Sequence, residues 1–109
     1  MEVSSPFGSQ TRTRLLLALS LLEQSYAREL ARVLRAPVSL VQKALLSLER
    51  DGLVAVKSIG RTRVVVLNPR YFARREFVAF LNRLVEPEDL LKQSVSALRR
   101  RPRRTGKRL

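Results

Sequence analysis

Ser39, Gln42, Lys43, Leu46 and Arg50 have the spacing with most chemistry in this chain. At about 100° per residue they fall on one side of a helix, and Val41, Ala44, Leu45 and Leu48 fall on the other. The apolar side would anchor such a helix in a core. The polar side could hydrogen-bond base edges in the major groove of a duplex. Gln42 suits bidentate pairing with adenine, Lys43 suits guanine acceptors or a phosphate, and Ser39 could donate to a base edge or a phosphate. Leu46 is the apolar member of the stripe. It fits a thymine methyl, although single exposed leucines are common on any surface. The competing account of the whole stripe is a solvated helix face.

Further cations flank this segment. Lys57, Arg61 and Arg63 surround Gly60, where a basic hairpin tip could reach a minor groove or flanking phosphates. Arg61 is assigned to phosphate, whereas Arg63 can point either way from its strand. Arg28 and Arg32 lie on a preceding helix that would cross the DNA backbone, or would pair with Glu29 or another nearby acid. Seven of the 22 basic residues fall in 99–109, a segment without acids that is expected to be disordered without DNA. The other 98 residues still hold 15 basic against 9 acidic side chains, so the basic character is not confined to the tail.

The 109 residues suit one domain, with 45% hydrophobic side chains and a formal charge of +13. That charge favours a polyanion as partner, with nucleic acid ahead of an anionic membrane surface. The chain has neither Cys nor His, which removes thiolate chemistry, imidazole bases and Cys/His zinc sites. No cofactor and no enzymatic activity are expected. No run approaches the roughly 18 apolar residues of a membrane span. The chain is expected to be cytoplasmic, with no membrane partner.

Punctuation along the chain sets the elements that must position these residues. Residues 1–8 form an irregular arm, and Ser9 is the expected N-cap of a helix to about Glu23. Leu15, Leu19 and Leu22 share one face of it, with Leu17 and Leu21 nearly opposite. A helix apolar on both sides needs cover on both sides. Tyr26–Leu34 is a second helix, with Leu30, Val33 and Leu34 inward and Arg28, Glu29 and Arg32 outward. Arg35-Ala36-Pro37 breaks it, and Val38–Asp51 follows, stopped by Gly52 in a left-handed position. Leu53–Lys57 and Thr62–Leu67 flank Ser58-Ile59-Gly60-Arg61 as a hairpin. Tyr71–Leu84 is predicted helical, with Ala73, Phe77, Phe80, Leu81 and Leu84 on one face. A last helix begins at Glu86-Pro87 and runs to about Leu98, with Leu91, Val95 and Leu98 as its stripe.

The run ELARVLRAPVSLVQKALLSLERDGLV, followed by a Gly-Arg hairpin tip, resembles winged-helix regulators of the ArsR-like and MarR-like kind. FGSQTRTRLLLAL resembles the first helix of small ArsR-like proteins, some of them fused to or encoded beside nucleotidyltransferases. The resemblance covers roughly Phe7 to Leu84. Its pattern L-x-x-L-E-x-x-G-L-V, here Leu45 to Val54, is widespread across the fold. The resemblance implies sequence-specific binding of duplex DNA, usually as a two-fold dimer. Two departures matter. The Cys and His ligands of the metal sensors are absent, and so is the acidic Gly-Ser motif of the nucleotidyltransferases.

The expected fold is therefore mainly α with a small β-hairpin wing, a winged helix-turn-helix with additional C-terminal helices. Residues 9–70 would form the DNA-binding domain, 71–98 the dimerising helices and 99–109 the basic tail. The expected function is a homodimeric transcriptional regulator of double-stranded DNA. Its helix 38–51 would lie in the major groove and its wing, 57–63, on the flanking backbone or minor groove. The homodimer interface is assigned to the first helix and the last two. The alternatives are a winged-helix module that binds protein, or a non-specific nucleoid or RNA-binding protein. The exposed face lacks aromatic residues for stacking single-stranded bases.

Overall fold

Ser9 opens the first helix, α1 (Gln10–Leu22), by accepting a 3.1 Å hydrogen bond from the Arg12 N–H. Residues 5–100 are described in this computed structural model. After α1 come β1 (Gln24–Ser25), α2 (Ala27–Leu34), α3 (Val38–Arg50), β2 (Val54–Ile59), β3 (Thr62–Leu67), α4 (Arg74–Leu84) and α5 (Asp89–Arg100). Among the described residues the architecture is α+β, with five helices and a small antiparallel sheet of order β1-β3-β2.

The central helix is α1, packed against α2, α3, α4, α5 and β3. Its residues Leu15 to Leu19 have no exposed surface. Both apolar sides are thus covered within one chain, which removes the reason for assigning one of them to a second subunit. Phe77 and Leu81 of α4 and Leu91 and Val95 of α5 join the same core. Fully burying a leucine is worth about 1.5–3 kcal/mol, so this helix contributes heavily to stability.

Backbone chemistry ends α2 and α3 in the same way. Gly52 takes φ +80° just after α3, and the Leu53 N–H reaches the Leu48 carbonyl at 3.0 Å while the Gly52 N–H reaches Glu49 at 3.0 Å. This is the paired hydrogen-bond pattern of a Schellman terminus. After α2 the left-handed position is filled by Arg35 at φ +56°, with the Ala36 N–H donating to the Ala31 carbonyl at 3.0 Å. Pro37 then serves as the N-cap of α3. The break between the helices is therefore made by Arg35 as well as Pro37.

Gln24 and Ser25, expected as a mere interruption, pair with Val66 and Val65 as a third strand. Two residues carry too little pattern to read as a strand; β3 recruits them. The hairpin turn is shorter than expected, because Ile59 pairs with Thr62 and leaves only Gly60 and Arg61 between the strands. Gly60 has φ +61°, the condition such a tight turn imposes on its first residue. Glu29 is not outward: it is buried, and its Oε1 accepts a 2.6 Å hydrogen bond from Ser25 Oγ. The new strand supplies that partner.

The C-terminal helices also start later than predicted. Tyr71 and Phe72 belong to the turn before α4, where the Arg74 N–H donates to the Tyr71 carbonyl, and the Tyr71 ring packs edge-on against Phe77 at 5.3 Å. Phe80 is not inward; it is 45% exposed beside Phe7. Pro87 lies in the turn before α5. That helix runs past Leu98 to Arg100, and the Arg99 guanidinium donates to the Leu21 carbonyl at the end of α1. Arg99 thus belongs to the folded unit, and the rest of the expected disordered tail, 101–109, lies outside the described residues. No described helix is long and apolar enough to cross a membrane.

Candidate nucleic-acid interface

The division of α3 follows the sequence pattern. Val41, Ala44, Leu45 and Leu48 are buried, while Ser39, Gln42, Lys43, Leu46 and Arg50 are exposed. Leu46 is 59% exposed in the middle of this face. One buttress fixes how the helix is presented. Arg12 of α1 contacts Asp51 at 2.8 Å and Ser47 Oγ at 2.5 Å through Nη1, and donates from Nε to the Phe7 carbonyl at 2.7 Å. The side chain thereby ties the C-terminal half of α3 to α1 and to the N-terminal arm.

Across from α3 stands the hairpin, and the register decides which of its cations faces the helix. Val56 pairs with Val65 and Ser58 with Arg63, so Arg63 shares a sheet face with Val65. Lys57 pairs with Val64 on the other face. The ambiguity over Arg63 is thus resolved towards α3, and Lys57 is turned away from it.

A cleft of about 580 Å³ lies between the start of α2, one edge of α3 and the hairpin. Its floor is apolar, formed by Ala27, Leu45, Val56 and Val65. Arg28, Gln42, Leu46, Arg61 and Arg63 meet around it, joined by Tyr26, Glu49 and Thr62. Five of the ten sequence-predicted site residues are therefore brought together. Ser39, Lys43 and Arg50 remain exposed on the outer surface of α3, outside the cleft, as Arg32 does on α2 and Lys57 on the far face of the hairpin.

Three arginines face one glutamate in this cleft. Among the described residues none of the four makes an ion pair, since the two pairs present are Arg12–Asp51 and Arg83–Glu86. The three guanidinium charges are free to meet an anion arriving from solvent. Such an arrangement can neutralise phosphates along one edge of an inserted helix while amide and apolar groups meet base edges.

Sequence reasoning missed Tyr26, Glu49 and Thr62. Glu49 was within reach of periodicity: it lies seven residues after Gln42, on the same edge of α3. Tyr26 is placed by the start of α2, and Thr62 by a turn shorter than the sequence indicated. A separate cleft of about 350 Å³ between β1, α2 and α5 is lined by Ser25, Glu29, Leu98 and Arg99. No protein-family model matches the chain, and no characterised protein matches its sequence.

Proposed function

We propose that this protein is a winged helix-turn-helix regulator of transcription that binds double-stranded DNA in the cytoplasm. Helices α2 and α3 with the turn at Arg35–Pro37 would be the helix-turn-helix, α3 would enter the major groove, and the β2–β3 hairpin would be the wing. The observation that carries this reading is the meeting of Arg28, Arg61 and Arg63 around the edge of α3 that exposes Gln42 and Leu46. A polar helix face alone is ordinary. A polar helix face with cations presented from two other elements is what backbone clamping of an inserted helix requires.

A two-fold dimer belongs to the same proposal. Of the first helix and the last two, α1 is buried within one chain, so the interface would rest on the outward apolar residues of the C-terminal region, namely Phe72, Phe80 and Leu90. Phe72 is 92% exposed and Leu90 77%. The same exposure favours the second reading, a winged-helix module that uses those residues to bind another protein.

Selection of bound duplexes from a random pool, with solution mass measured in parallel, separates the two. The regulator should return a palindromic consensus with half-sites about one helical turn apart, and the mass of a dimer. Weak binding of every duplex even at low salt would overturn DNA binding and leave the protein-interaction module. Tight binding without any consensus would point to a non-specific nucleoid or RNA-binding role.

A further inference from the structure

Glu49 is out of place on a surface meant for phosphates. It is exposed in the last turn of α3 and lines the cleft with Arg28, Arg61 and Arg63, yet among the described residues it makes no ion pair with any of them. Docked against a duplex, a carboxylate there is repelled by the backbone unless it meets a hydrogen-bond donor. An ionised carboxylate only accepts. In the major groove the donors are the exocyclic amines of cytosine and adenine, and adenine sets its amine beside the N7 acceptor, to which a carboxylate has no proton to offer.

We propose that Glu49 is a base-reading residue of this interface and accepts a hydrogen bond from the N4 amine of cytosine; the proposal rests on the duplex-DNA reading above. Position along the helix adds a second constraint. Gln42, Leu46 and Glu49 follow one another at the same edge of α3. The seven residues from Gln42 to Glu49 rise about 10 Å at 1.5 Å per residue. That is about three base-pair steps of 3.4 Å. The rise sets an upper value, reached only if the two axes are parallel: the cytosine read by Glu49 lies within about three base pairs of the adenine matched to Gln42.

The rival account is electrostatic: Glu49 merely lowers the affinity of the arginine cluster for any phosphate. Random-duplex selection with the full chain, with Glu49→Gln and with Glu49→Ala at one salt concentration distinguishes the two. It is followed by competition with consensus duplexes changed at a single base pair. The wild-type chain should prefer cytosine at one position by roughly tenfold. Glu49→Gln should move that position towards adenine, because an amide both donates and accepts. Glu49→Ala should flatten that position and leave the others intact. Tighter binding of all duplexes with every preference unchanged in both variants would overturn the role of Glu49 while leaving DNA binding in place. A wild-type chain that binds no duplex would overturn the DNA reading itself, and this assignment with it.

Discussion

Thr13 of α1 has no exposed surface, and its Oγ1 has no hydrogen-bond partner among the described residues. A hydroxyl buried without a partner keeps its desolvation cost, whereas an apolar group of the same shape does not. Thr13→Val should therefore stabilise the fold by about 1 kcal/mol, read as a higher denaturant midpoint with an unchanged slope. A lower midpoint would mean that the hydroxyl has a partner in solution. Arg63 and Lys57 form a second residue-scale contrast, because the strand register puts them on opposite faces of the hairpin. If the proposed interface is correct, Arg63→Ala should reduce the slope of log affinity against log salt by about 1. Lys57→Ala should leave that slope unchanged. Equal losses would show that the hairpin does not meet DNA by the face turned to α3.

At the scale of elements, α1 is the framework on which the candidate interface depends. It is buried on both sides and holds α3 through Arg12, whose guanidinium reaches Ser47 and Asp51. Exposed ion pairs are worth little, about 0–1 kcal/mol, and Asp51 is about half exposed here. Orientation of α3 is thus the main consequence of the Arg12 contacts, with stability supplied by the leucines. Leu17→Ala should cost about 2–5 kcal/mol, as large-to-small changes in well-packed cores do. Because Leu17 is buried inside one chain, that cost should be the same at protein concentrations a hundredfold apart. A cost that grows on dilution would mean that part of the helix is covered by a partner subunit.

At the scale of the whole molecule, charge is distributed unevenly. The formal charge is +13, and residues 101–109 contribute five cations and no acid. Removing only residues 101–109 keeps Arg99, which donates to the Leu21 carbonyl. That truncation should leave the unfolding midpoint in place, weaken binding to all duplexes alike and flatten the salt dependence. An unaltered salt slope would show that the tail makes no phosphate contacts. Outward apolar side chains occur both around the interface, at Tyr26, Leu40, Leu46 and Ile59, and in the C-terminal region, at Phe72, Phe80 and Leu90. The proposed dimer rests on the latter three.

Much of this was legible from local pattern. The two sides of α3, its stop at Gly52 and the apolar stripe of α5 follow from helical periodicity and from the backbone freedom of glycine, both properties of consecutive residues. The amphipathic pattern of α2 was legible too, but not the burial of Glu29. That depended on Ser25 being drawn into the sheet by β3, a partner some 40 residues away. The covering of both faces of α1 and the side of the hairpin taken by Arg63 were decided in the same way, by packing and by strand register. Which residues are apolar, which carry charge and where the chain must turn are local matters of side-chain chemistry and backbone sterics, and the residues alone settle them. Which charges share a cleft was settled by folding, because it depends on contacts between elements that no local pattern encodes.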